Sequence, residues 1–169
     1  MKKLLAILFS LLISFNSYGK TICLEEDNVV QHRNGFIYLP NQQEPFTGDH
    51  LCSYLSNGQY SSKGKIKDGK LDGKWIGWYE NGQKELEENY KDGKEDGNQI
   101  SWYKNGQIAS ETNFIDGKED GKWTYWYENG QMIGQENYKD GYFISQTKYH
   151  YRNGQIIRQE NYKDGDLIG

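Results

Sequence analysis

The sequence predicts an all-β fold, an elongated single-layer antiparallel sheet of stacked 24-residue β-hairpins, and three observations predict it. Asn-Gly-Gln begins at Asn57, Asn81, Asn105, Asn129 and Asn153, a constant interval of 24 residues. Asp-Gly keeps the same step at Asp68, Asp92, Asp116, Asp140 and Asp164. Two turn signals per period, separated by strand-like residues, describe a string of hairpins. The third observation is composition: 35% of residues are hydrophobic, yet 15% are aromatic and 20 are glycine. Burial then has to come from Tyr and Trp rather than Leu and Val, which suits a thin sheet better than a globule.

Residues 1–19 read as a secretory signal. Lys2 and Lys3 precede an apolar run from Leu4 to Phe15, too short to span a bilayer as a mature anchor. Ser17 and Gly19 suit cleavage before Lys20. The residues Lys20-Thr21-Ile22-Cys23 place a lysine where a lipid-anchoring motif wants an aliphatic side chain, so Cys23 is not read as a lipidation site. The expected location is the periplasm or the cell exterior. The formal charge of −4 becomes −6 once Lys2 and Lys3 leave with this segment, which makes nucleic acid a poor partner and does not favour contact with anionic membrane surfaces.

Residues 20–47 do not follow the period and read as an irregular N-terminal cap, as expected of a terminal unit that must cover an exposed edge. Both prolines, Pro40 and Pro45, fall here, and Asn34-Gly35 looks like a diverged copy of the turn. Cys23 and Cys52 are the only cysteines. In an exported chain they read as one disulfide, stapling the cap across a loop worth roughly 3 to 4 kcal/mol in closure entropy.

Residues 48–169 form the array. In its best-formed unit Asn81-Gly82 is expected to make a two-residue type I′ turn, because both residues tolerate positive φ. That register sets Glu80 opposite Gln83, Tyr79 opposite Lys84, Gly77 opposite Leu86 and Trp75 opposite Glu88. Face A then carries Trp75, Gly77, Tyr79, Leu86 and Tyr90, with equivalents Tyr103, Ile108 and Phe114; Trp123, Tyr125, Tyr127, Met132 and Tyr138; and Tyr149, Tyr151, Ile156 and Tyr162. This is the expected buried side. Face B carries Lys74, Ile76, Trp78, Glu85, Glu87 and Asn89 and is expected to be wet, although a bulge in any hairpin would exchange faces locally. The links Asp68 to Gly73, Asp92 to Gly97 and Asp116 to Gly121 share Asp-Gly-Lys-x-Asp-Gly, a compact bend. The fourth link substitutes Tyr142-Phe143-Ile144-Ser145. The last strand, ending near Lys163, is left as an edge protected by Glu160, Lys163 and Asp164.

These units, read as Asp-Gly-Lys-Trp-x-x-Trp-Tyr-Glu-Asn-Gly-Gln and Asn-Tyr-Lys-Asp-Gly-Lys, resemble MORN repeats of the bacterial variant type (MORN_2), including those of YwqK-like antitoxin proteins. The resemblance runs from about Pro45 to Gly169, and Pro45-Phe46-Thr47-Gly48 looks like the opening of such an array. It implies an elongated, gently twisted antiparallel sheet and a role in protein or membrane association. An antitoxin role would place the array in the cytoplasm, which the signal segment opposes.

The sharpest functional feature is an aromatic file on face B: Tyr54, Trp78, Trp102, Trp126 and His150, one per period. With two strands per unit its members would lie roughly 10 Å apart. Such a ladder suits stacking on an extended polymer, such as a glycan, or gripping a peptide strand. Alternatively each ring lies flat across the Lys and Glu stems of its neighbours. Two further patterns read as structural. The pairs Asp68/Asp72, Asp92/Asp96 and Asp116/Asp120 resemble clustered calcium ligands, but Asp before Gly is turn chemistry and Lys70, Lys94 and Lys118 oppose a cation. His32, His50 and His150 are scattered, no Ser or Cys sits in a nucleophile setting, and Glu85, Glu87 and Glu88 lack a matching acid. No metal, cofactor or catalytic residue is expected. The sequence therefore points to an exported, non-enzymatic module that binds a protein or a cell-envelope polymer. The alternatives are an envelope immunity or antitoxin-like inhibitor and a self-assembling structural module.

Overall fold

A computed structural model of the chain describes residues 20–25 and 30–144 and, towards the C-terminus, 147–150, 153, 155–160, 162–163 and 166–168. The expected signal segment lies outside the described residues. The cap supplies β1 (Lys20–Ile22) and the hairpin β2 (Gln31–Arg33) and β3 (Phe36–Tyr38). The array opens with β4 (Gly48–Ser53), β5 (Tyr60–Lys67) and β6 (Lys70–Leu71), and then repeats. One unit holds β7 (Gly73–Trp78), β8 (Lys84–Lys91) and β9 (Lys94–Glu95); the next holds β10 (Gly97–Trp102), β11 (Ile108–Ile115) and β12 (Lys118–Glu119). The third holds β13 (Gly121–Trp126), β14 (Met132–Lys139) and β15 (Tyr142–Phe143). β16 (Thr147–His150), β17 (Ile156–Glu160), β18 (Tyr162–Lys163) and β19 (Asp166–Leu167) complete the set. No helix occurs among the described residues.

One sheet runs in the order β1-β4-β5-β7-β8-β10-β11-β13-β14-β16-β17, with β6, β9, β12 and β15 as short companions of β5, β8, β11 and β14. Among the described residues, β1 is the one strand parallel to its neighbour, β4. β17 is the outer strand of this order, as the sequence predicts for the end of the array.

The two turn signals exchange roles relative to expectation. Asp68 (φ 49°) and Gly69 (φ 78°) both lie in the left-handed region, and Lys67 pairs with Lys70 across them, so Asp-Gly makes the two-residue type I′ hairpin. At Asn81-Gly82 only the glycine has positive φ, 81°. The Gly82 N–H donates to the Tyr79 carbonyl at 2.8 Å and the Tyr79 N–H to the Gln83 carbonyl at 2.8 Å, which is a type I turn followed by a glycine bulge. The Asn81 side chain selects this form: its Oδ1 accepts the Gln83 N–H at 3.1 Å, and its Nδ2 donates to the Lys104 carbonyl of the following unit at 3.0 Å. Asn34-Gly35, by contrast, has positive φ at both residues and closes the cap hairpin.

Away from the turn the predicted register is found, with Gly77 opposite Leu86 and Trp75 opposite Glu88. Near the turn it shifts, and Lys84 pairs with Trp78 rather than Tyr79. The same shift pairs Ile108 with Trp102 and Met132 with Trp126. Ile108 and Met132 therefore lie on face B, not face A as the type I′ register required. Glu85 is the extra residue of its bulge and lines the same hollow as Leu86 and Glu88. The face A positions expected at Tyr149, Tyr151, Ile156 and Tyr162 concern side chains outside those described.

The apolar core sits at one end. Ile37, Phe46 and Ile66 are buried, with Ile22, Leu24, Val30, Leu39, Leu71 and Trp75 packed against them. The cap thus covers face A of the first unit, and each fully buried Ile contributes about 2 kcal/mol. The Cys23–Cys52 disulfide ties β1's end to β4, with Cα atoms 4.8 Å apart. Beyond this end the array is one layer thick, and its strand side chains are mostly half-buried.

Candidate functional site

Residues paired across strands share a face, and the pairings assign both faces without conflict from β4 to β15. Face B carries Trp78, Trp102 and Trp126, each at the last position of its strand and each half-buried. Their partners differ. Lys84 opposes Trp78, and its ammonium lies 5.3 Å from the Trp102 ring; Ile108 and Met132 oppose the next two indoles. Tyr60, 55% exposed, stands 6.4 Å from Trp78, and the two line a hollow of about 380 Å³ with Gly58, Gln59 and Gly82.

Tyr54 does not belong to this file by position. Its hydroxyl donates to the Trp78 carbonyl at 2.6 Å, as Tyr79 does to Trp102 and Tyr103 to Trp126, both at 2.7 Å. The first turn contains one extra residue, and its closing bond runs from the Gly58 N–H to the Tyr54 carbonyl. That insertion shifts the phase by one: Ser53 stands where Trp78 recurs, and Tyr54 where Tyr79 does. Burial, and then the nearby Glu85, Glu80 and Glu25 carboxylates, raise the Tyr54 pKa, so its phenol keeps its proton and its donor role. The backbone of His150 lies in β16; its side chain is outside those described.

Face A is aromatic and acidic. Trp75 stacks on His50 at 4.5 Å over Gly64, where an added Cβ would fall 2.2 Å from the indole. Trp123 contacts Phe114 at 5.0 Å and Tyr138 at 4.9 Å, and Tyr138 meets Phe143 at 5.5 Å. The position of Trp75 bonds backward in three successive units. Trp75 Nε1 donates to the Lys65 carbonyl at 3.2 Å and Trp123 Nε1 to the Asn113 carbonyl at 3.1 Å. Gln99, buried between them, bridges the Asn89 N–H at 2.8 Å and the Asn89 carbonyl at 3.1 Å.

The structure also gathers a trio that sequence spacing did not reveal: Glu25, His50 and Ser62. The Leu24 N–H donates to His50 Nδ1 at 3.2 Å, His50 Nε2 meets Ser62 Oγ at 2.8 Å, and Ser62 Oγ donates to a Glu25 oxygen at 2.8 Å. Burial lowers the His50 pKa, against a smaller opposing pull from Glu25, so the ring is neutral. With Nδ1 accepting, the proton sits on Nε2 and points at Ser62, whose own proton goes to Glu25. His50 cannot take a proton from Ser62 in this arrangement, as a nucleophile's base must. The chain of bonds fastens the cap to the sheet.

The paired acids of the links are spent on turns. A carboxylate oxygen of Asp96 accepts the Asp116 N–H at 3.1 Å, and Thr47 Oγ1 takes the same role for the Asp68 N–H at 2.8 Å. Asp116 bonds Lys94 at 2.7 Å and Asp120 bonds Lys139 at 2.9 Å, which lowers both carboxyl pKa values. Among the described residues, the cluster with metal-ligand spacing is Cys23, Glu25 and Cys52, and its two sulfurs are bonded to each other.

Residues 71–92, 95–116, 119–140 and 146–164 match the model of the MORN repeat variant. No curated protein matches the chain. The matched units begin after the first hairpin, which carries the inserted turn residue and the cap contacts.

Proposed function

Because this chain belongs to the MORN repeat variant family, whose repeats generally serve as interaction modules, we propose that it is an exported, non-enzymatic binding protein for another protein or a cell-envelope polymer. The observation that carries this reading is the tryptophan file on face B. Trp78, Trp102 and Trp126 are half-buried, so each leaves part of its ring free, and the backbone behind each is pinned by a tyrosine hydroxyl from the preceding unit. Rigid aromatic groups at a fixed step suit an extended ligand, because the ordering cost at each contact is small. The hollow between Tyr60 and Trp78 continues the strip to the first unit. The disulfide accords with an oxidising compartment and supports export.

The test is a pull-down from the native cell envelope with the wild-type chain and with a Trp102→Ala, Trp126→Ala variant. The wild-type chain is expected to capture a partner, and the variant to lose it while keeping its melting temperature within a few degrees. Collapse of the variant's fold would make the indoles packing elements and remove the basis of this reading.

A further inference from the structure

Among the described residues, the chain's own cap covers face A over the first unit and reaches Trp75 at the start of the next. Equivalent positions change character where that cover ends. Ile66 and Leu71 pack under the cap; one repeat later the same positions hold Tyr90 and Glu95, and Gly64 is followed by Glu88. Exposure alone asks for polar groups of either sign. From β7 to β15 the charged residues at face A positions are acids, Glu88, Glu95, Glu119 and Glu136, while every lysine of strands β5 to β15 lies on face B.

These acids stand among aromatic rings. A hollow of about 410 Å³ is lined by Glu25, Glu85 and Glu88 beside Trp75, and a second of about 210 Å³ by Glu88 and Glu95 beside Phe114 and Trp123. No lysine or arginine lines either one. The Glu95 carboxyl is pushed up, first by burial and then by the Glu88 charge, so two acids repel each other with no cation between them.

We propose that face A beyond the cap is a docking surface for a basic, extended segment of a partner protein. Its Lys or Arg head groups would meet Glu88, Glu95 and Glu136, and its stems would lie on the aromatic rings, a pairing in which charge and cation–π attraction act together. Glu88 and Glu136 are two repeats apart, roughly 20 Å, which about six residues of extended chain span. A strand-like peptide that alternates basic and small side chains fits this step. The surface is on the opposite side of the sheet from the tryptophan file and does not depend on what that file binds.

Fluorescence anisotropy with the full chain and two labelled octapeptides, one alternating Arg and Ala and one alternating Glu and Ala, tests the proposal. The Arg peptide is expected to bind saturably and the Glu peptide not. The Glu88→Gln, Glu136→Gln variant should weaken the Arg peptide about tenfold, added salt should weaken it further, and Glu111→Gln on face B should leave it unchanged. The Glu88→Lys, Glu136→Lys variant should reverse the preference. Absence of saturable binding to the Arg peptide would overturn the proposal, as would binding lost with Trp102→Ala, Trp126→Ala but indifferent to the glutamates. Sedimentation provides the third arm: self-association of the free chain that the same Gln variant abolishes would identify the occupant as the lysine face of a second copy instead. Failure of the interaction-module reading is a separate result, an envelope pull-down that captures nothing.

Discussion

The hydroxyl of Tyr79 donates a 2.7 Å hydrogen bond to the carbonyl oxygen of Trp102, one repeat further along the chain. The same bond joins Tyr54 to Trp78 and Tyr103 to Trp126. A side chain at the mouth of each hairpin thus fixes the backbone of the next, and the Asn57, Asn81 and Asn105 amides do the same by donating to the Glu80, Lys104 and Glu128 carbonyls. In a sheet with little core, this lattice of polar bonds aligns the repeats.

Tyr79→Phe removes one such bond and leaves the Trp102 carbonyl without its side-chain donor. The expected cost is about 1 kcal/mol, read as a lower denaturant midpoint with an unchanged slope. A midpoint equal to wild type would remove the tyrosine from the alignment role.

Alkaline pH should loosen the array. Burial pushes the Tyr125 pKa up to about 12, with Glu136 and Glu119 adding to it, and burial also raises Tyr90 and Tyr138. The folded chain then holds phenol protons that the unfolded chain releases near pH 10. Stability from these groups is complete below pH 10 and is lost as pH rises through 12. Thermal melts across that window should fall steadily, and Tyr125→Phe should make the fall shallower. Melts that stay level between pH 10 and 12 would contradict the assignment.

Gly64→Ala places a methyl group 2.2 Å from the Trp75 ring, which is itself stacked on His50 and packed against the cap core. The indole has to leave its stack on His50, at a cost of roughly 1 to 3 kcal/mol. A lower melting temperature with a changed tryptophan emission is expected. Gly73→Ala is the contrast, because space there is open and only its positive φ, 76°, resists substitution.

Reduction of the Cys23–Cys52 bond opens a separation of 29 residues, and the expected loss is roughly 3 kcal/mol. Because the described cap residues pack on the first unit and on Trp75 at the start of the next, limited proteolysis under reduction should cut within 20–47 and leave the array from Gly73 onward resistant. Cuts spread evenly along the chain would show that the cap governs the whole array.

Much of this was legible in the sequence because the repeat phase is a local signal. The 24-residue step placed every hairpin, the alternation put Trp75, Tyr90, Trp123 and Tyr138 on one face, and two isolated cysteines paired. What escaped depended on side-chain hydrogen bonds and on contacts between units. Asn-Gly and Asp-Gly both permit positive φ; the bulged turn goes with the Asn side-chain oxygen accepting the Gln83 N–H, as Asn129 accepts the Gln131 N–H, while the Asn81 amide's bond to Lys104 ties the turn to another hairpin. That bulge moved Ile108 and Met132 to the tryptophan face and Glu85 to the hollow beside Trp75. One inserted residue before Asn57 shifted Tyr54 out of the aromatic file, although the spacing from Trp78 remained a perfect 24. The trio of Glu25, His50 and Ser62 joins three segments that only folding brings together.

Each 24-residue unit is an interchangeable plank in one ribbon, with like side chains on like faces. Excision of residues 97–120 joins Asp96 to Gly121 and preserves that phase, whereas excision of 97–119 shifts it by one and exchanges the faces of everything downstream. Thermal unfolding of the two shortened chains is the most direct test. The first should unfold cooperatively at a modestly lower temperature than the full chain, and the second should lose its cooperative transition. Equal behaviour of the two, or loss of the native state in the first, would contradict the account.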